Sequence, residues 1–562
     1  MTKRFHLTPP VAKNAENSLR FGLMLNSLTI EAWQAQTIQL LINEGHELVL
    51  TILNQEQPTK VGLGKKLREY PYNQFLFRIW NRFLFRPKAK KAIDISSLTQ
   101  KSNKIYCLPV RKGVGNHIQD QDIVTIKSTN LDFILRFGFN ILHGDVLNVA
   151  KYGIWSFHHD DEQKIRGGPP GFWEFMGKHS FNAVILQKLT EKLDKGIVLK
   201  KVYYPVIYHS YKAHLNQIYF ESSLLPLQLC REMVIQSLKF EPSDSKAPVF
   251  YPPSNRMMMH YLLVSVQRRL WFHIKDIFTQ EDWHIGFMHN KPIIEKDHFQ
   301  HSVVNWLPRQ TKSSYLADPF YLETEKDQYV IAEKFDYSNG KGNIVLLKWS
   351  DNFNHPKALI DSDLHYSFPY TFRYRNEVFC LPECHQNSTL QLFRFDETNE
   401  KLLKTADLLE GFDVVDPILF EHENRWWLFF TSKLFPSVHL YAFYADSLFG
   451  EYKPHHLNPV KTDIRSSRNA GAVFLDNEQL IRPAQDCSDH YGRAVNLCWI
   501  KHLSPETFEE TVVYRLSPDK THYTKGLHTF NLAAGKAIVD GKRYVFTFTG
   551  FMHQLRSKLK IK

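Results

Sequence analysis

The sequence predicts two domains of different class: an α/β domain built on a parallel sheet, followed by an all-β five-bladed propeller. Three observations carry this. At 562 residues the chain exceeds what one ordinary core holds. Between Arg20 and Asn54 it reads strand, helix, strand, the mark of a βαβ unit. Its second half repeats a strand–turn–strand text five times at a period of roughly 50 to 60 residues, which signals propeller blades.

Composition narrows the class. Hydrophobic residues make up 43% and charged residues 23%, as in a soluble globular protein. No apolar run reaches the roughly 18 residues of a membrane span. The opening MTKRFHLTPPVAKNAENS lacks the apolar core of a signal peptide, so a cytoplasmic location is expected. The six cysteines lack paired metal spacing, and Cys380-x-x-x-Cys384 has no second pair, so no metal site is expected. A net charge of +12 favours anionic partners: nucleotide sugars, folate glutamates or an acidic membrane face. With no zinc finger, RNP-type motif or extended basic arm, nucleic acid is not an expected partner.

In the first domain, RFGLMLNS (20–27) is a strand, IEAWQAQTIQLLINEGHE a helix stopped at Gly45, and ELVLTILN the next strand. No GxGxxG is present, so a dinucleotide fingerprint is unsupported. Residues 64–91 interrupt the pattern. There Phe75, Phe77, Trp80, Phe83, Leu84 and Phe85 interleave with Arg78, Arg82, Arg86 and Lys88. Two readings stand open: an inserted helix packing its aromatics on the domain, or a basic aromatic surface for an acidic membrane. Strands resume at 104–109, 122–126 and 131–137, and FGFNIL (137–142) leads to a strand carrying Ser156–Asp161.

The chemistry concentrates between Gly153 and Gly196. GIWSFHHDDEQKIRGGPPGFWEF delivers Ser156, His158, His159, Asp160 and Asp161 to a sheet edge. The turn Arg166-Gly167-Gly168-Pro169-Pro170 follows, with backbone that can approach a ligand closely. Asp194 precedes Gly196 in LTEKLDKGIVL. Acyl transfer to an amine needs a base for the amine's proton, a group to orient that base and a donor for the oxyanion.

This spacing resembles the formyltransferase family (methionyl-tRNA, glycinamide ribonucleotide and sugar N-formyltransferases), whose Asn-x-His, Arg-Gly and Leu-Asp-x-Gly fall at Ser156-Phe157-His158, Arg166-Gly167 and Leu193-Asp194-Lys195-Gly196. The resemblance implies a Rossmann-like formyltransferase domain over residues 1–240, with 10-formyltetrahydrofolate as cofactor. The implied acceptor is the amine of an amino sugar, on a nucleotide-linked precursor of surface polysaccharide. It further implies His158 as the base, Asp194 as its support and Ser156 at the oxyanion position, with Gly138, Phe139, Arg166 and Gly167 on the cofactor side. Ser156 stands where the family has Asn. Its side chain is shorter, and losing an oxyanion donor costs on the order of 10²–10³ in rate. His159-Asp160-Asp161 also replaces the family's Pro-Ser. The alternative is therefore an inactive formyltransferase fold beside a carbohydrate-binding propeller.

Residues 241–280 read as a Pro- and Ser-rich linker and a long helix, its Met run packing in a core. Residues 281–562 form the propeller. Its repeats are 317–336, 368–385, 416–433, 468–486 and 531–549, with turns near Asp327, Asn376, Asn424, Asn477 and Gly541. Residues 282–297 are expected to supply a strand that closes the ring. ADPF, DPILFEH, FYADSLFGEY, HHLNPV and RPAQDCSDHYGRAV resemble the amino-terminal domain of plant glucosamine inositolphosphorylceramide transferases; the half as a whole is similar to arabinanase- and xylosidase-type propellers. Blade-opening residues in such propellers face the central funnel, so Asp318, Glu383, Asp416, Arg468 and Arg482 are expected to ring a sugar-sized pocket. Such a ring binds a glycan, or cleaves or transfers a glycosyl group if two carboxylates stand about 5–9 Å apart. Asp-Pro also simply opens a turn.

Overall fold

The computed structural model describes residues 18–56, 68, 70–112, 115–191, 196–235, 240, 242–288, 304–309, 311–324, 327–384, 386–533 and 536–559. They fall into two compact units that divide between Leu270 and Trp271.

The first unit is a seven-stranded sheet. Its opening elements are β1 (Arg20–Leu25), α1 (Ala32–Glu44), β2 (Glu47–Asn54), β3 (Asn103–Cys107), α2 (Asp120–Ser128) and β4 (Phe133–Arg136). There follow β5 (Ile154–His158), β6 (Phe181–Lys188) and β7 (Ile197–Pro205), in the order β7-β6-β5-β4-β1-β2-β3. The pairings among β1–β5 are parallel and those of β6 and β7 antiparallel. The central strands are apolar along their length because both faces are covered: Phe21, Leu23, Met24, Phe133, Ile134 and Leu135 are wholly buried. Gly45 ends α1 at φ 107°, a left-handed geometry that favours glycine. The chain reverses sheet direction at β1, which neighbours both β2 and β4. The crevice outside the carboxyl ends of β1, β4 and β5 is where open α/β sheets bind ligands.

Two local expectations fail here. Residues 122–126, expected as a strand, lie inside α2. Ile123 and Ile126 are buried three apart while Val124 is exposed, so the apolar period is helical. From the sequence, residues 211–238 read as one helix; the structure has two there, α3 (Tyr211–Ser222) and α4 (Leu225–Ile235), with Pro226 in the first turn of the second, where its missing N–H is harmless. In the long helix α5 (Asn255–Phe278), Met258 is buried but Met259 is exposed, so the Met run packs inward at only part of its length.

The second unit is a five-bladed propeller of antiparallel sheets, four of them four-stranded and the third, with an extra short strand, five-stranded. Blade one opens with Ser314–Glu323, blade two with Ser367–Tyr374 and blade three with Val414–His422. Blade four runs from Phe474–Asp476 to Phe508–Leu516. In blade five Gln280–Met288 pairs antiparallel with Lys536–Val545, so the ring closes with a strand at the start of the expected 282–297 segment, of which 289–297 lie outside the described residues. The hairpins at Arg375-Asn376, Glu423-Asn424 and Asn477-Glu478 carry positive φ at both residues, the two-residue turn that matches strand twist. Gly541 is not a turn. It lies mid-strand opposite His284, and a Cβ there would collide with Trp306 and Tyr523. A helix, Phe548–Leu559, follows where the repeat pattern ran on as strand.

Candidate functional site

In the first unit, β4 and β5 run parallel with Leu135 opposite Trp155, which sets Arg136 beside Ser156 at the crevice. Ser156 is buried and its Oγ accepts from Arg136 Nη2 at 3.0 Å. Arg136 Nη1 donates to the carbonyls of Phe139 (2.8 Å) and Asn140 (3.1 Å). Its Nε is buried without a hydrogen-bond partner among the described residues. Sequence reasoning missed Arg136. The signal was available in ILRFGF, a cation at the end of an otherwise buried strand.

His158 ends β5 opposite Ile185 and its Nε2 lies 3.2 Å from the Ile165 carbonyl. A carbonyl only accepts, so in the neutral ring Nε2 carries the proton of that contact. Asp194, expected as its support, lies outside the described residues.

The companions expected beside His158 point elsewhere. His159 is buried among Trp33, Phe157 and Tyr219, with Nε2 3.3 Å from Ser222 Oγ, and burial holds its pKa well below the ordinary value. Successive strand residues face opposite sides, so it cannot share the crevice with His158. Asp160 accepts from Gly171 N at 2.7 Å and faces Glu174. Burial raises both acids, Glu174 to about 7; the Glu174 charge raises Asp160 further, whereas the hydrogen bond from Asp160 draws Glu174 back down. Asp161 pairs with Lys201 at 2.6 Å.

The expected cofactor-side residues are also tied into the fold. Gly138 N donates to Met24 O at 2.8 Å, and a Cβ there would strike the Leu25–Asn26 backbone. Phe139, at φ 57°, is a core side chain clustered with Met24, Ile134 and Leu142, so its ring is not offered to a ligand. Arg166 Nε donates to Ala247 O at 2.7 Å, and Gly167 pairs with Phe250 so closely that a Cβ would meet the Phe250 carbonyl. Arg166 and Gly167 thus anchor the 247–250 segment.

In the propeller, Asp318, Phe368 and Asp416 each precede a proline and take positive φ (49°, 43° and 45°), and the strand register slips around each. These are bulges that turn one residue per blade out of the ladder, held against strain of order 1–3 kcal/mol each. Asp318 and Asp416 thereby join a buried acidic cluster with Glu333, Glu383 and Asp540. Asp416 N donates to Glu383 Oε2 at 3.0 Å, and the Asp416 carboxylate accepts from Arg468 Nε (2.6 Å) and Gln485 Nε2 (2.9 Å). Burial pushes Asp416 up to about 8 against the opposing pull of Arg468. Burial likewise raises Asp318, whose Oδ1 accepts from Thr529 Oγ1 at 2.8 Å. His528 sits between Asp540 (2.6 Å) and Asp318 (3.3 Å). Burial lowers its pKa, but the two carboxylates outweigh burial and raise it. One ligand atom from each of Asp318, His528 and Asp540 lies within 4.8 Å of the others, but both His nitrogens already face carboxylates, so the triad is read as an ion cluster.

Arg482 is not in this ring. It is wholly buried, donating to Glu510 through Nε (2.9 Å) and Nη2 (2.5 Å) and to Asn469 Oδ1 (2.9 Å), so it cannot touch a ligand. Arg468 does reach the centre, with its guanidinium 4.7 Å from the Tyr491 ring centroid. Glu333, Gln485, Tyr491, His528 and Asp540 were not foreseen. Glu333, Glu383 and Thr431 pair with Ala317, Ser367 and Val415 at one blade position, so aligning the second strand of each repeat would have exposed Glu333.

Residues 303–538 match the family described as Glucosamine inositolphosphorylceramide transferase 1, N-terminal. The chain is 30% identical over 215 residues to Glucosamine inositolphosphorylceramide transferase 1 of Oryza sativa subsp. japonica, covering 36% of this chain and 28% of that protein. It is 24% identical over 168 residues to methionyl-tRNA formyltransferase of Prochlorococcus marinus (strain MIT 9312), covering 30% of this chain and 42% of that protein. The chain thus spans well under half the length of these curated relatives. Among solved structures, glycinamide ribonucleotide transformylase 1 from Geobacillus kaustophilus is similar at 13% identity and TM-score 0.27, covering 39% of this chain and 99% of that one. A family 117 glycoside hydrolase from Zobellia galactanivorans is similar at 11% identity and TM-score 0.31, covering 48% and 91%.

Proposed function

We propose that this protein is a carbohydrate-directed transferase. Its α/β unit transfers a formyl group from 10-formyltetrahydrofolate to the amine of an amino sugar, free or nucleotide-linked, and its propeller holds the saccharide in the cytoplasm. The observation that carries this reading is His158 at the carboxyl end of β5, beside Ser156 clamped by Arg136. Two likenesses support it: one half is similar to a formyltransferase, and the other to proteins named for glucosamine transfer.

The buried, unpartnered Arg136 Nε fits a ligand oxygen. When bound, the folate supplies an activated formyl carbon. His158 takes the proton that the sugar amine loses as its nitrogen bonds that carbon, and returns it to the folate nitrogen from which the carbon parts, so that tetrahydrofolate leaves. Ser156, whose oxygen accepts from Arg136, is left to donate its own proton, and the Arg136 cation adds a positive field where negative charge develops.

The test is formation of an N-formyl sugar from 10-formyltetrahydrofolate and a panel of nucleotide-linked amino sugars, read by mass spectrometry. His158→Ala should abolish it. Failure of the wild-type protein to bind a stable folate analogue would leave the alternative, a carbohydrate-binding protein on an inactive transferase fold.

One observation favours a second reading, glycosyl-bond chemistry in the propeller. Burial and the neighbouring Glu383 charge raise Asp416 toward the protonated form that a general acid needs, against the pull of Arg468. Glycan cleavage lost on Asp416→Asn would select it.

A further inference from the structure

Two neighbouring segments of the first unit present apolar side chains to solvent. In the helical stretch 72–84, Phe75, Ile79 and Phe83 recur at i, i+4 and i+8 and are exposed, joined by Tyr72 and Leu84; Phe83 is 61% and Leu84 72% exposed. In α5, Met258 and Tyr261 turn inward while Met259, Leu262, Leu263, Val266 and Leu270 form an outward stripe, with Leu263 at 72% and Val266 at 68%. The two segments pack side by side. Asn255 Oδ1 accepts from Leu76 N at 2.9 Å, Asn255 Nδ2 donates to Tyr72 O at 2.7 Å, and the Trp80 and Tyr261 rings lie 5.2 Å apart. Exposed apolar residues thus stand on two segments packed against each other.

Their charge is of one sign. Neither 70–90 nor 251–270 contains an Asp or Glu. Arg78, Arg82, Arg86 and Lys88 are exposed along the first, and Arg256 and Arg269 along the second. Exposed apolar residues gathered on adjoining segments in this way mark an interaction site. Large apolar residues set among arginines, with acids absent, match the boundary between anionic headgroups and acyl chains. No helix among the described residues is long and apolar enough to cross a membrane.

We infer that this surface docks the protein onto an anionic membrane leaflet, with Phe83, Leu84, Leu263 and Val266 entering the interface and the arginines meeting the headgroups. The surface lies apart from Ser156 and His158 in sequence, and the inference stands whether or not formyl is transferred.

The test is co-sedimentation of the full chain with vesicles of phosphatidylcholine alone and of phosphatidylcholine mixed with phosphatidylserine. Binding to the mixed vesicles should exceed binding to the neutral ones and weaken as salt rises. Phe83→Asp with Leu263→Asp should lower binding at least tenfold, and Arg78→Glu with Arg82→Glu should remove the preference for phosphatidylserine. Leu475→Asp, at an exposed leucine of the propeller, should bind as the parent does, with unchanged thermal unfolding certifying each fold. No sedimentation with mixed vesicles, or parental binding by the Phe83/Leu263 variant, overturns the inference. So does a dimer of the parent that Leu263→Asp dissociates, because the surface then belongs to a second copy of the chain.

Discussion

Arg136 and Ser156 meet across two adjacent parallel strands, with Nη2 donating to Oγ at 3.0 Å. The guanidinium occupies a lone pair of the hydroxyl, so the serine proton is directed away from Arg136. The serine that stands at the Asn position of the formyltransferase-like spacing is thereby coupled to a buried cation.

If that pair stabilises an oxyanion, Ser156→Ala lowers kcat for formyl transfer on the order of 10²-fold. Arg136→Lys also lowers it, because a point ammonium cannot hold two carbonyls and a hydroxyl in one plane. Initial rates of N-formyl sugar formation check both. Unchanged rates in both variants remove the pair from the chemistry.

Burial raises Glu174 from 4.5 to about 7, with Asp160 beside it also raised. A raised acid binds its proton more tightly folded than unfolded, so it contributes stability at low pH that is lost as pH climbs from 4.5 through about 7, by up to ~1.4 kcal/mol per pH unit per proton. Glu174→Gln is therefore expected to flatten that slope and raise the melting temperature at neutral pH. Melting curves of parent and variant across this range decide it.

His528 is expected to be structural. Its folded pKa is raised, so its contribution is complete below 6.5 and fades as pH rises through the folded value. His528→Gln leaves Asp318 and Asp540 facing each other without a cation and costs about 3–5 kcal/mol under mildly acidic conditions. Chemical denaturation of the propeller at several pH values measures this; the deficit should shrink as pH rises.

Arg482→Met should cost up to a similar amount, about 3–5 kcal/mol, because it leaves buried Glu510 with Lys461 as its one remaining cation among the described residues. Burial would raise Glu510, but Arg482 and Lys461 hold it down at about 2, so this stability is present above 4.5 and lost as pH falls toward 2. Glycan affinity, measured calorimetrically under conditions where the variant is folded, should not change, whereas Arg468→Met should alter it through Asp416.

Much of the fold was legible locally. Gly45 as a left-handed stop, Asn376 and Asn424 in two-residue turns, and the apolar runs of β1 and β4 are governed by backbone preference and by side-chain periods of 2 or 3.6. The same local reading misassigned Ile123 and Ile126, since a five-residue apolar run fits either period. It also took Gly541 for a turn, because a glycine required by close approach to Trp306 looks the same in sequence as one required by φ.

The sequence by itself determined that strands, helices and five repeats must build an α/β sheet and a propeller, and that His158 ends a strand. Those properties depend on neighbours a few residues apart or on a repeat that is legible along the chain. Only the tertiary structure decided that Arg136 clamps Ser156 and that His159 is a core residue. It alone decided that Asp540 meets His528 and Asp318, that Arg482 serves Glu510, and that one stripe of α5 remains exposed. Each depends on strand register and on packing between distant segments, and a single sequence carries no local periodicity for either.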